Sequence, residues 1–137
     1  MIGSTGPVFA ADANTARADQ VTSIQNRYNP LFDAQYARIM ALRNKVLYDP
    51  STLPTVKAVL KDFLEVRRVI DSGLASSISD LDAVKSYADE ELGEFDSSLS
   101  QLETQVAKNK TITCIKDKRV KKVSGLIPKC PKGYKKK

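Results

Sequence analysis

The stretch Ile78–Val106, ISDLDAVKSYADEELGEFDSSLSQLETQV, decides the fold. Its apolar residues Ile78, Leu81, Ala88, Leu92, Phe95, Leu99, Leu102 and Val106 recur at steps of three and four, with Lys85 the one exception. Side chains at that spacing share one face of an α-helix, so the stretch predicts a long helix with a single buried stripe close to a heptad seam. Gly93 weakens it locally by roughly 1 kcal/mol relative to alanine. Ser77 or Ser79 is the expected cap at its start.

Two more helices precede it. Val56, Val59/Leu60, Phe63/Leu64, Val66 and Ile70 predict the second, stopped at Asp71-Ser72-Gly73 by a left-handed glycine. The connector Asp49-Pro50-Ser51-Thr52-Leu53-Pro54 leads into it, with Ser51 or Thr52 as cap and Pro54 in the first turn. Before that, Val21, Ile24, Tyr28, Leu31/Phe32, Tyr36, Ile39, Leu42 and Val46 predict a first helix from Asp12 or Asn14 to Tyr48. Pro30 removes one amide and crowds the turn before it, which predicts a kink or short break near Asn29. Connectors of a few residues make neighbouring helices antiparallel. The expected fold is mainly α: a long up-down-up antiparallel three-helix bundle, coiled-coil-like, over 14–108, with a small disulfide-closed β-hairpin over 109–137. Residues 1–13, ending Val8-Phe9-Ala10-Ala11-Asp12-Ala13, are expected to be a disordered terminus or the small-residue end of a signal peptide.

The helical period ends at Lys108. Thr111-Ile112-Thr113-Cys114-Ile115 and Val120–Val123 are rich in β-branched residues and flank the polar turn Lys116-Asp117-Lys118-Arg119, a short hairpin signal. Such a hairpin is marginal alone in water. The chain has two cysteines and no histidine, so structural zinc is a poor use for them and a disulfide a better one. A Cys114–Cys130 bridge closes a loop of about fifteen residues, worth roughly 3 kcal/mol in the chain-entropy account. Charge separates the same segment from the rest. Of the net +6, residues from Lys110 onward carry eleven Lys/Arg against the single acid Asp117, which is +10 and leaves −4 for residues 1–109.

That ending also resembles a known module. Thr111-Ile112-Thr113-Cys114, Lys121-Lys122-Val123, Pro128-Lys129-Cys130-Pro131 and Gly133-Tyr134-Lys135-Lys136-Lys137 are similar to a short C-terminal module of exported actinobacterial proteins of uncharacterised function. The resemblance covers about a fifth of the chain. It implies export, a paired Cys114–Cys130 and residence at or near the cell envelope, and no activity. Asp117 departs from the pattern, where such tails carry a small or glycine-like residue.

Without histidine, neither a Ser-His-Asp nor a Cys-His arrangement can form. The carboxylates Asp89, Glu90, Glu91, Glu94 and Asp96 are scattered around a helix by their spacing and read as a solvated face, or as a dock for the basic tail. The chain is therefore expected to be non-enzymatic and to need no cofactor or metal. Polyanion contacts are expected from Lys116, Lys118, Arg119, Lys121, Lys122, Lys129, Lys132, Lys135, Lys136 and Lys137, with Tyr134 free to stack on a base or sugar ring. The expected partner is an anionic cell-envelope polymer or a partner protein, with nucleic acid, bound through phosphates, as the alternative. The doubled apolar positions Leu31/Phe32 and Leu60 with Phe63/Leu64 raise self-association as a further expectation. Asn109-Lys110-Thr111 is a glycosylation sequon, expected to be silent. No run approaches the roughly 18 apolar residues of a membrane span.

Overall fold

The computed structural model describes residues 5–137, with side chains from residue 13 onward. Three helices, α1 (Thr5–Lys45), α2 (Leu53–Ala75) and α3 (Leu81–Val106), precede three short strands, β1 (Lys110–Lys116), β2 (Arg119–Gly125) and β3 (Lys135–Lys136). The mainly-α bundle with a disulfide-closed β module is therefore as the sequence predicts. Polar contacts of Tyr28 with Asp89, Gln35 with Leu92 and Arg38 with Glu103 climb α1 and α3 together, and Arg17 reaches Ser79 just before α3, so these two helices run parallel side by side with α2 antiparallel to both. Phe32, Phe63 and Phe95, one from each helix, meet edge to face at the centre, with ring centroids 5.9 and 5.3 Å apart. Such pairs add about 0.5–1.5 kcal/mol beyond their buried area.

Several local expectations are corrected. The helix of α1 begins at Thr5, earlier than Asp12–Asn14, and closes at Lys45 rather than Tyr48. The reading of 1–13 as a disordered terminus or signal-peptide end is carried by residues 8–13, which fall within α1, while residues 1–4 lie outside the described residues. Pro30 causes no break: α1 continues through it. Asn26, Asn29 and Pro30 are all exposed, so the carbonyl left without its amide faces solvent, while buried Tyr28 and Phe32 hold the turn to the core. Gly73 does not stop α2, which runs on to Ala75. Its role is close approach, since a Cβ there would sit 2.9 Å from Val84 Cγ2 of α3. Asp80, not Ser77 or Ser79, caps α3, its Oδ1 accepting from the amides of Asp82 at 3.0 Å and Ala83 at 3.3 Å. Ile78 therefore precedes the helix and is 92 % exposed instead of joining the stripe. Leu31, Tyr36 and Leu64 also stand on the outside of the bundle, and Gln35 is buried in their stead. Its Nε2 donates to the Leu92 carbonyl at 2.8 Å.

The tail holds more than a hairpin. β1 is the central strand of the order β2-β1-β3, both pairings antiparallel. Lys116 pairs with Arg119, so only Asp117 and Lys118 make the hairpin turn. Asp117 takes φ 55° there, the left-handed region that glycine occupies without cost. That conformation explains why a glycine-like residue suits the position.

Candidate polyanion-binding module

The module is built around Cys114, which is fully buried at the middle of β1. After β2 the chain leaves the sheet and returns through Cys130, bonded to Cys114 with 5.6 Å between the Cα atoms. A tight turn then sends it back along β1. The amide of Tyr134 donates to the Pro131 carbonyl at 2.9 Å, and Gly133, third of the four residues, has φ 87°. A turn with positive φ at that position calls for glycine. A Cβ at Gly133 would also meet the Lys116 side chain, 3.2 Å from its Nζ. The turn delivers β3 to the free edge of β1, where Lys136 pairs with Cys114, Lys135 pairs with Ile115 and the Lys137 amide donates to the Thr113 carbonyl at 2.9 Å.

This register distributes the expected contact residues. Directly paired residues project on the same face of a sheet. Lys121 and Lys136 therefore flank Cys114 on the disulfide face, with Lys116 and Arg119 beside them. Lys122, paired with Thr113, and Lys135, paired with Ile115, project on the opposite face together with Val120. Lys118 occupies the turn, and Lys129 and Lys132 the returning segment. All ten expected cations are exposed, and none forms an ion pair among the described residues. They surround the module rather than forming one patch. Two lie over aromatic rings: Lys116 Nζ is 6.0 Å from the Tyr134 ring centroid, and Lys122 Nζ is 5.9 Å from that of Tyr48. Tyr134 is half-buried, one part of its surface already given to the hairpin.

The module leaves α3 after only Ala107–Asn109 and then docks on the α1–α2 connector. The Ser124 amide donates to the Tyr48 carbonyl at 2.8 Å. Asp49 organises the joint, although it is only 2 % exposed and faces no cation at hydrogen-bond range. Its Oδ1 accepts from the Ser51 amide at 3.1 Å, the Ser51 hydroxyl at 2.7 Å and the Thr52 amide at 3.2 Å, and its Oδ2 accepts from Asn109 Nδ2 at 3.0 Å. Burial pushes this carboxyl upward, but the hydrogen bonds from Thr52 and Ser51 outweigh it and hold Asp49 below the ordinary carboxylate range. Neither Ser51 nor Thr52 supplies the side-chain cap expected for α2: Thr52 stands at the N-cap with helical backbone angles and no side-chain cap hydrogen bond, and the Ser51 hydroxyl donates to Asp49. The nitrogen that a glycan would need on Asn109 is the one given to Asp49. Sequence reasoning missed this joint by reading Asp49-Pro50 only as a helix stop. The usable signal was an Asp two and three residues before Ser51 and Thr52, the spacing at which a carboxylate accepts downstream amides.

Among the described residues, no acidic side chain of α3 forms an ion pair with the tail. Asp96 and Glu103 clamp Arg38 of α1, at 2.7 and 2.6 Å, and Asp89 accepts from the Tyr28 hydroxyl at 2.7 Å. Glu91 and Glu94 line an outer groove of about 410 Å³ between α2 and α3 with Asp62 and Glu65. Burial, then the charges of Glu94 and Glu90, raise the Glu91 carboxyl above its ordinary value. No cluster of three or more potential metal ligands occurs among the described residues, and no described helix is long and apolar enough to cross a membrane. Comparison of the chain with protein-family models, with curated proteins and with solved structures finds no match.

Proposed function

We propose that this chain is an exported, non-enzymatic protein of the cell envelope or surface, whose helical bundle holds a cationic module against an anionic polymer. The observation that carries the reading is the set of ten exposed lysine and arginine side chains on the module, none engaged in an ion pair among the described residues. A cation left without an internal partner is free for an external one, and cations concentrated on one end raise the local concentration of polyanions. The joint at Asp49 supports presentation rather than loose tethering. The disulfide, together with the resemblance of the tail to exported actinobacterial modules, supports an oxidising compartment.

The test is binding of the full chain to inorganic polyphosphate across a salt series. Affinity is expected to fall steeply as salt rises, because each neutralised phosphate releases a counterion. Absence of binding even at low salt would reject the reading.

A further inference from the structure

The segment that follows β2 carries an exposed apolar pair inside the cationic module. Ile127 is 81 % exposed and Leu126 53 %, and Pro128 follows them. Cations lie near the pair. Lys110 is the cross-strand partner of Gly125, which immediately precedes Leu126. Lys108 lines the same shallow cleft as Leu126, and Lys129 the same cleft as Ile127. The side chains of α3 that share the Leu126 cleft, Ser100, Gln101, Thr104 and Gln105, are all uncharged. Among the described residues lining the two clefts the one acid is Asp49, which is buried and engaged with Ser51, Thr52 and Asn109.

A hydrophilic polyanion makes use of cations only and leaves Leu126 and Ile127 in water. An anionic bilayer uses both, because headgroup charge meets the ammonium groups while aliphatic side chains enter the acyl boundary. From this pairing we infer that Leu126–Ile127, with Lys108, Lys110 and Lys129 nearby, is an insertion loop for an anionic lipid bilayer. The inference rests on the polyanion reading above and names the surface that the module meets. Lysine stems beside such a loop extend along the apolar boundary while their ammonium groups stay with the phosphates.

The chain contains no tryptophan, so Ile127→Trp places a single indole reporter on the loop. With vesicles of equal parts phosphatidylcholine and phosphatidylglycerol its emission is expected to shift to the blue, and with polyphosphate or pure phosphatidylcholine vesicles it is expected not to move. Ile127→Ser is expected to weaken binding to the mixed vesicles roughly tenfold through the lost apolar burial. Its affinity for polyphosphate is expected to match the unmodified chain, which also establishes that the variant is folded. Equal vesicle affinity for Ile127→Ser and the unmodified chain overturns the inference, as does binding to polyphosphate without binding to vesicles. Binding to neither overturns the polyanion reading as well.

Discussion

At the scale of single residues, Asp49 does most to connect bundle and module. Its two oxygens serve different elements: Oδ1 orders the approach to α2, and Oδ2 reaches Asn109 at the root of the module. Asp49→Asn keeps the Oδ1 bonds but turns an amide donor toward the Asn109 amide. The expected cost is about 2 kcal/mol, the scale for a buried donor left unpartnered, measured by urea unfolding at neutral pH. The pH dependence has a definite sign. Because the native carboxyl lies below its ordinary value of 3.8, its contribution is complete above that value and is lost as pH falls through the lowered native one. The gap in stability between the unmodified chain and Asp49→Asn should therefore be constant from neutral pH down to about pH 4 and narrow below it. A gap that stayed constant through the acid range would show that the charge of Asp49 contributes nothing.

At the scale of elements, the three helices are legible because the period of three and four is long enough to leave no alternative. What the period does not reveal is the width of the buried stripe. Leu31, Tyr36 and Leu64 are apolar and near the stripe, yet lie outside it, while Gln35 lies inside because the Leu92 carbonyl receives its amide. Strand β3 was illegible for a different reason. Two lysines carry no strand signal, and they pair with β1 only because the disulfide and the Gly133 turn return them to its open edge. Two glycines show how far context decides within an element. Gly93 is exposed and a methyl group there would meet open space, so Gly93→Ala is expected to stabilise α3 by about 1 kcal/mol through helix propensity. At Gly73 the same change drives a methyl into Val84 and is expected to destabilise by about 1–3 kcal/mol. Thermal unfolding of the two variants should move in opposite directions, and a common direction would refute the packing account of Gly73.

At the scale of the molecule, two units of unequal strength share one short joint. The bundle has a core of buried side chains from all three helices, whereas the described core of the module is little more than Cys114 and Val123. A double change Cys114→Ser, Cys130→Ser removes a closure worth roughly 3 kcal/mol, and nearly all of that falls on the module. Hydrogen exchange should then show the amides of Ile112–Ile115 losing protection while those of α3 keep theirs. Simultaneous loss in both would mean that the two fold as one unit. The general arrangement of helices below and stapled strands above was readable from period and charge. The docking was not, because it depends on a carboxylate and an asparagine far apart in sequence.

That distance gives the joint a kinetic character. Asn109 and Asp49 are 60 positions apart. In the folded chain their bond joins the α1–α2 connector to the residues that follow α3. A contact made after the rate-limiting step of folding alters how fast the native state comes apart and leaves the rate of its formation nearly unchanged, so Asp49→Asn is expected to speed unfolding in urea and to leave the refolding rate unaltered. That outcome would make the Asp49 joint a latch on lifetime, one that governs how long the module stays seated once the bundle exists and not how quickly the chain finds its fold.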